Sequence, residues 1–270
     1  MIVDMHAHTA MSDGTLSPQD LADFMGERKV EVFSISDHDT LAAYGNFVPP
    51  PGSQVVPAIE INTTWRGNEV HVLGYDVPLE DSPVTELLAY NREQRRVRAE
   101  TMVERLRQAG HQITLEDVLR ESGGALAIGR PHVAKALVRL GLTESVATAF
   151  RDMIGGGKAG YVPQLYTTPE HAIEKIAEAG GIPVLAHPGR LKDRILVDEL
   201  VPHGLRGLEV FYPLHDEADT REFRETAKRY GLVMTAGMDF HDIRYHTKGV
   251  GMEVDSEDLK PFFELVKVAV

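Results

Sequence analysis

Cysteine is absent from the chain. That excludes disulfide scaffolds, thiol nucleophiles and thiolate-ligated zinc together. No apolar run approaches the ~20 residues that a membrane-spanning helix needs. The opening Met1-Ile2-Val3-Asp4 carries neither a basic nor an apolar leader. The expectation is a cytoplasmic protein with no membrane partner. Positive charge is also scarce, with 28 Lys and Arg against 41 Asp and Glu and a formal charge of −13. This disfavours a clamp on long nucleic acid, which needs many phosphate contacts. Histidine, by contrast, is abundant, at twelve among 270 residues. With 43% hydrophobic and 26% charged residues, the chain can build one large core, with or without a smaller appended unit, and is not disordered.

Short apolar runs alternate with helix-like segments, predicting an α/β fold. Strands are expected over Ile2–Thr9, Val30–Ser36, Val55–Asn62, Glu69–Tyr75, Ile182–Ala186, Leu205–Phe211 and Leu232–Ala236. Ser17-Pro18 and Thr168-Pro169 each offer an N-cap followed by proline at the first helical position. They open helices to about Lys29 and Ala179. Further helices are expected over Ala218–Tyr230 and from Ser256, the latter with Leu259, Phe262, Phe263 and Val266 on its apolar face. Residues 78–162 lack strand signals, and Ala99, Met102, Val103, Leu106 and Ala109 follow a helical stripe. We read 78–162 as an inserted helical subdomain that binds substrate, and 1–77 with 163–270 as the metal-binding unit.

The histidines and carboxylates gather at predicted strand ends: His6, His8 and Asp13 after the first, His38 after the second, and Glu60 at the third. His71 follows on the fourth, then His187 and finally Asp239 and His241. In β/α barrels the carboxyl ends of strands converge on one mouth. Residues two apart on a strand share a face, so His6 and His8 can share one ion. Imidazole and carboxylate without thiolate suit Mn²⁺, Fe²⁺ or Zn²⁺. Nine candidates exceed the needs of one site, so two or three ions are expected, with Glu60 as bridge. Asp4, Asp37 and Asp39 are assigned to orienting imidazoles or tight turns. Of the other histidines, His111 and His171 are expected in solvent and His203 at a helix end, while His215 and His246 are candidates for the mouth.

Asp4-Met5-His6-Ala7-His8, Ser12-Asp13-Gly14, Ser36-Asp37-His38-Asp39, Ala186-His187-Pro188-Gly189 and Gly237-Met238-Asp239-Phe240-His241 resemble the ordered motifs of the polymerase and histidinol phosphatase (PHP) family. The resemblance runs over essentially the whole chain. It implies a distorted (β/α)7 barrel with three metals. His6, His8, Glu60 and Asp239 would hold the first, Glu60, His71 and His187 the second, and Asp13, His38 and His241 the third. Mn²⁺ is the expected occupant, with Zn²⁺ or Fe²⁺ as alternatives. The last motif reads Gly-Met-Asp where Gly-Ser-Asp is usual, a change that touches no ligand.

Within that family the chain looks most like the nucleoside 3′,5′-bisphosphate phosphatases and the related 5′-to-3′ exoribonuclease of short RNA. The supporting features are Gly129-Arg130-Pro131-His132, the Gly155–Val162 loop, and Arg95-x-x-Arg98-x-x-x-Met102. Six arginines fall between 92 and 107, and a solvated helix face accounts for most of them. Arg95, Arg98, Arg130, His132 and Lys158 are the expected substrate contacts, Arg130 and His132 being also the expected catalytic pair; Arg190 is a weaker candidate. Three divalent ions against Asp13, Glu60 and Asp239 leave the cluster at about +3, enough to draw a phosphate into an acidic protein. The expected reaction is in-line attack by a metal-bridging hydroxide on a phosphate monoester of a small phosphorylated nucleotide, with short 5′-phosphorylated RNA as a further substrate. The alternatives are a histidinol-phosphate-like small-metabolite phosphatase on the same metals and a non-catalytic metal-binding accessory domain.

Overall fold

The structure is a computed structural model that describes residues 1–268 except 165, 192 and 245–247. The chain begins with β1 (Ile2–Asp4), α1 (Pro18–Glu27), β2 (Val32–Phe33) and β3 (Gln54–Val55). β4 (Ala58–Trp65) and β5 (Asn68–Tyr75) follow, then four helices, α2 (Pro83–Gln108), α3 (Leu115–Ser122), α4 (Arg130–Arg139) and α5 (Val146–Ala149). The alternating pattern resumes with α6 (Pro169–Glu178), β6 (Ile182–Leu185), α7 (Leu196–Leu200), β7 (Gly207–Phe211), α8 (Glu217–Tyr230) and β8 (Val233–Ala236). β9 (Met252–Glu253) and α9 (Ser256–Leu265) end it. Both expected caps form: the Ser17 and Thr168 side chains accept from the amides of Asp20 and His171. No helix among the described residues is long and apolar enough to cross a membrane.

The fold is mixed α/β, with two sheets ordered β3-β2-β1-β9 and β4-β5-β6-β7-β8. The (β/α)7 barrel implied by the resemblance is not closed by continuous ladders. Two local features explain this. β4 and β5 form an antiparallel hairpin with no helix between them, and β1 pairs antiparallel with β9 on one edge. The sheets touch instead through isolated parallel bridges, Ala7 to Phe240 and His38 to Glu60. The expected strand Ile2–Thr9 therefore stops at Asp4. Beyond it the chain is held by single bonds such as Met5 N–H to the Ala236 carbonyl, 2.8 Å, and His8 N–H to that of Phe240, 2.8 Å. The expected strand Val55–Asn62 is split, because Pro57 offers no amide to a ladder.

The β4–β5 hairpin deserves its register. Its loop is Arg66-Gly67, both with positive φ, 47° and 78°, the two-residue turn whose twist matches antiparallel strands. Trp65 faces Asn68 and Asn62 faces His71. Glu60, Asn62, Glu69 and His71 consequently share one face of the ribbon.

One extended apolar core joins Val3, Ile59, Val72, Leu185 and Leu208 to the α9 residues Leu259, Phe262 and Phe263. Val266 is partly buried against it. A separate apolar cluster is built wholly from residues between 99 and 154, including Met102, Leu106, Val133 and Ile154. Ala109, expected in that stripe, is exposed at the end of α2. The same helix buries Asn91, Arg95 and Arg98, so α2 has an apolar side toward the insertion and a polar buried side elsewhere.

Gly237 follows β8 at the point where the chain approaches β1 most closely. A methyl added there would meet the His6 Cβ, with Glu209 Oε1 at 2.7 Å and the His6 amide nitrogen at 2.9 Å. Backbone cannot yield as a side-chain tip can. Gly237→Ala is expected to cost about 1–3 kcal/mol of stability by urea unfolding. Gly156→Ala, where an added methyl meets nothing within 4 Å, should stay within about 0.5 kcal/mol of the parent.

Candidate metal centre

The nine expected ligand residues come together in one cluster, most of them around Glu60. Three groups bring ligand atoms within 4.8 Å of one another: His6, His8, Glu60 and Asp239; His8, Asp13, His38 and His241; and His38, Glu60 and His71. The first is the set implied by the resemblance, and the second adds His8 to the implied third set. The last takes His38 in place of His187. His187 nonetheless lies beside it, its Nε2 3.1 Å from Glu60 Oε1.

These positions are set by bent backbone. Asp39, His187 and Asp239 all have positive φ, 50°, 31° and 52°, a region that costs residues other than glycine free energy and recurs at functional sites. The turns are held by buried carboxylates. Asp37 accepts from the Thr9 amide and hydroxyl and from the Ser12 hydroxyl, at 2.6–2.7 Å. Asp4 accepts from the amides of His6, Met238 and Gly251. Asp39 takes Asn91 at 2.8 Å and Arg95 at 2.7 Å. None of these bonds goes to an imidazole ring; that task falls to Glu209. Its Oε1 lies 2.9 Å from His6 Nδ1 and its Oε2 accepts from the His187 amide at 2.8 Å. Met238, at the departure from Gly-Ser-Asp, buries its side chain in the apolar cluster with Ala7 and Phe240.

The donors fit divalent cations. Glu60 Oε2 is buried and makes no hydrogen bond, yet nitrogens of His6, His8 and His38 lie 3.3, 3.1 and 3.0 Å from it. His6 Nε2 and His8 Nε2 face each other at 3.2 Å. Two imidazole nitrogens this close need a proton or a metal cation between them. The titration behaviour points the same way. Burial opposes charge on Glu60, but the imidazoles of His71, His6 and His38 hold its carboxyl well below the ordinary range. Burial likewise opposes a charged His8, yet Asp239 and Glu60 push its pKa up to about 10. His38 and His187 are instead held below the ordinary value, chiefly by burial. The carboxylates that favour a proton on His8 would equally favour a divalent cation among these ligand atoms.

A cavity of about 180 Å³ opens on this cluster and is lined also by Arg95, Arg98, Arg130 and Arg190. Arg95 is buried against Asp39 and Asn62 and lies 5.5 Å over the Tyr166 ring. Arg98 donates to the Val162 carbonyl at 3.0 Å. Arg130 donates to Glu69 at 2.8 Å and sits over Phe150 at 5.4 Å. Arg190, the weaker sequence candidate, reaches Asp239 Oδ2 at 3.3 Å. Arg96, Arg105 and Arg107 are the exposed arginines of α2, and Arg96 pairs with Glu93 and Glu100.

Two expected substrate contacts are placed otherwise. The His132 ring is buried, its Nδ1 accepting the Gly129 amide at 2.9 Å, and burial lowers its pKa to about 4. It is thus neutral at pH 7 and anchors the start of α4. Lys158 is exposed in the turn after Gly155 and is not among the residues lining the cavity. His215 also serves the backbone, accepting the Gly189 amide and donating to the Val210 carbonyl. His246 lies outside the described residues. Glu69 and Glu209 escape a reading by motif, since neither lies in one; only alternation along their strands places each on the face of its ligand neighbour.

A ligand that binds only the native state stabilises it by mass action, ~2.7 kcal/mol at 100 times Kd. Mn²⁺ is therefore expected to raise the melting temperature of the metal-free protein by several degrees. His8→Ala and Asp239→Asn should lose most of that rise, while their metal-free melting still shows a cooperative fold; differential scanning calorimetry with and without Mn²⁺ checks it.

No family model matches the chain. It is 33% identical over 255 residues to the 5′-3′ exoribonuclease Rnm of Escherichia coli, covering 89% of this chain and 85% of that protein. It is 30% identical over 267 residues to the 3′,5′-nucleoside bisphosphate phosphatase of Chromobacterium violaceum, covering 96% and 93%. It is 32% identical over 260 residues to a phosphoribosyl 1,2-cyclic phosphate 1,2-diphosphodiesterase of Eggerthella lenta, covering 94% and 99%. Among solved structures, one assigned as a metal-dependent phosphoesterase from Bifidobacterium adolescentis superposes with a TM-score of 0.83 at 29% identity, over 97% of this chain and 95% of that one. An amidohydrolase from Chromobacterium violaceum, solved with sulfate and no metal, gives 0.86 at 27%, over 98% and 95%. With these likenesses spanning most of both chains in each pair, and an imidazole–carboxylate cluster whose donors could hold metal ions, the chain belongs to the PHP family of metal-dependent phosphoesterases.

Proposed function

We propose that the chain hydrolyses nucleoside 3′,5′-bisphosphates to the 5′-monophosphate and phosphate, and that it trims short 5′-phosphorylated RNA by the equivalent cleavage. The observation that carries this is the shared cavity, in which the ligand cluster and four arginines line one space. A substrate with one phosphate needs only the cluster; a second anionic group explains the arginines. The names of the relatives favour the same substrates.

His6, His8, Glu60 and Asp239 would hold one ion, Glu60, His71 and His187 a second, and Asp13, His38 and His241 a third, with Mn²⁺ our choice. Divalent cations held there supply charge for the phosphoryl oxygens and acidify water at neutral pH. Glu209 holds the His6 ring in place. Arg98 and Arg130 grip the distal phosphate as planar forks. Arg95, bonded to Asp39 and Asn62, fixes the wall between them. His132 shapes the start of α4, which carries Arg130, and Lys158 is left out of the grip. The closed barrel remains the expected family form, with the two bridges as its points of closure. We place the working enzyme in the cytoplasm.

Arg95→Ala would strand a buried Asp39, at a cost of about 3–5 kcal/mol, so it is a poor probe of binding. Arg98→Ala and Arg130→Ala are better. Each is expected to raise KM for adenosine 3′,5′-bisphosphate at least ~10-fold, equivalent to 1.4 kcal/mol, and to affect p-nitrophenyl phosphate much less. Equal losses on both substrates would refute the distal-phosphate grip. Asp239→Asn should abolish turnover of both. On Mn²⁺-reconstituted enzyme, adenosine 3′,5′-bisphosphate or short 5′-phosphorylated RNA should show the highest kcat/KM in a panel with phosphoribosyl 1,2-cyclic phosphate and histidinol phosphate. Preference for histidinol phosphate would select the small-metabolite alternative, and metal uptake with no hydrolysis of any ester would select the accessory-domain alternative.

A further inference from the structure

Glu69 lies on β5, two residues before His71 and on the same face. Its Oε1 is 3.1 Å from His71 Nε2, and its Oε2 accepts from Arg130 at 2.8 Å. Arg130 belongs to the helical segment of 78–162, whereas His71 and Glu60 belong to the β4–β5 ribbon. One carboxylate therefore joins the arginine wall to the ligand cluster. As a stabilising pair it is worth little: the Arg130 and Glu69 side chains are 28% and 32% exposed, where such a bridge contributes about 0–1 kcal/mol. Its place on the cavity wall is better explained by what it orients.

The neighbouring amide fixes the chemistry. Asn62 Oδ1 accepts from Arg95, so Asn62 Nδ2 faces His71 Nε2 at 3.0 Å and Glu69 Oε1 at 3.1 Å. His71 Nε2 could accept from that amide or donate to the carboxylate. Nδ1 lies 2.7 Å from Glu60 Oε1 and points into the cluster. With a divalent cation held there it would carry no hydrogen, and Nε2 would donate to Glu69 in a charge-assisted bond roughly twice as strong as a neutral one. Carboxylates that hold the far nitrogen of a ligand imidazole set its tautomer and orientation in this way.

We propose that Glu69 is a shared positioning residue, one oxygen fixing the His71 imidazole toward the cluster and the other holding Arg130 over the cavity. The proposal rests on the phosphoesterase reading, and its test separates the two. Glu69→Ala, Glu69→Gln and Arg130→Ala are titrated with Mn²⁺, free ion being followed by electron paramagnetic resonance, and KM for adenosine 3′,5′-bisphosphate is measured at saturating Mn²⁺. Glu69→Ala is expected to weaken one class of Mn²⁺ site by ~10–100-fold and to raise KM. Arg130→Ala should raise KM and keep the parental Mn²⁺ isotherm. Glutamine has a single side-chain acceptor where the carboxylate has two, so Glu69→Gln should lose one of the two functions and keep the other. This variant, close to glutamate in shape, carries the test if alanine unfolds the chain. A folded Glu69→Ala with the parental isotherm, or Glu69→Gln matching the parent in both measurements, overturns the role of Glu69. A parent chain that takes up no Mn²⁺ overturns the metal reading and this proposal with it.

Discussion

Around Glu60, imidazole nitrogens converge on a buried carboxylate oxygen that makes no hydrogen bond. Isolated in a dry interior, such a cluster would be expensive, because buried polar atoms without partners forfeit their hydration. The remainder of the molecule is arranged so that this convergence survives folding. Asp4, Asp37 and Asp39 satisfy the turn amides, Glu209 steadies His6, and three residues accept left-handed backbone. Most of these devices act where a strand gives way to the chain beyond it.

The arginines answer a second constraint. An acidic chain must present local positive charge to attract a phosphate. Free guanidinium groups buried beside metal ions would repel them, so each is given an acceptor: Asp39 and Asn62 for Arg95, the Val162 carbonyl for Arg98, Glu69 for Arg130 and Asp239 for Arg190. These acceptors hold the side chains on the cavity wall, and in the proposed reading they lower the reorganisation needed when an anion arrives. Arg96, on the surface, pairs instead within its own helix, where solvent screens the bond.

The clustering of His6, His8, Asp13, His38, His187, Asp239 and His241 was legible from spacing of two and from position beyond strand ends. Glu60 and His71 instead lie within β4 and β5 and join the cluster through the register of the hairpin. The caps at Ser17 and Thr168 were legible from local sequence too. Glu69 and Glu209 were hidden because a carboxylate on a strand is unremarkable until its neighbour across the sheet is known. His132 looked like a substrate contact from its arginine and proline neighbours; the competing use, a ring nitrogen accepting the Gly129 amide, depends on how α4 starts and has no sequence mark. Strand ends were overestimated at β1 and β2, where apolar residues continue but the ladder gives way to single bonds. The implied closed barrel met an antiparallel hairpin and a two-residue β9 that no pattern of period two could announce.

The hairpin at Arg66-Gly67 has a consequence for how this enzyme can change. Side chains on a strand alternate, so a shift of one residue in pairing exchanges the two faces. Glu60, Asn62, Glu69 and His71 are therefore ordered by a turn that itself has no chemistry. Exchange of residues at the tip is compatible with the same pairing, whereas gain or loss of a single residue there would rotate an entire set of ligands and their supports out of register at once. Lineages of this protein should then keep the length of that loop nearly constant and confine its letters to residues that tolerate positive φ.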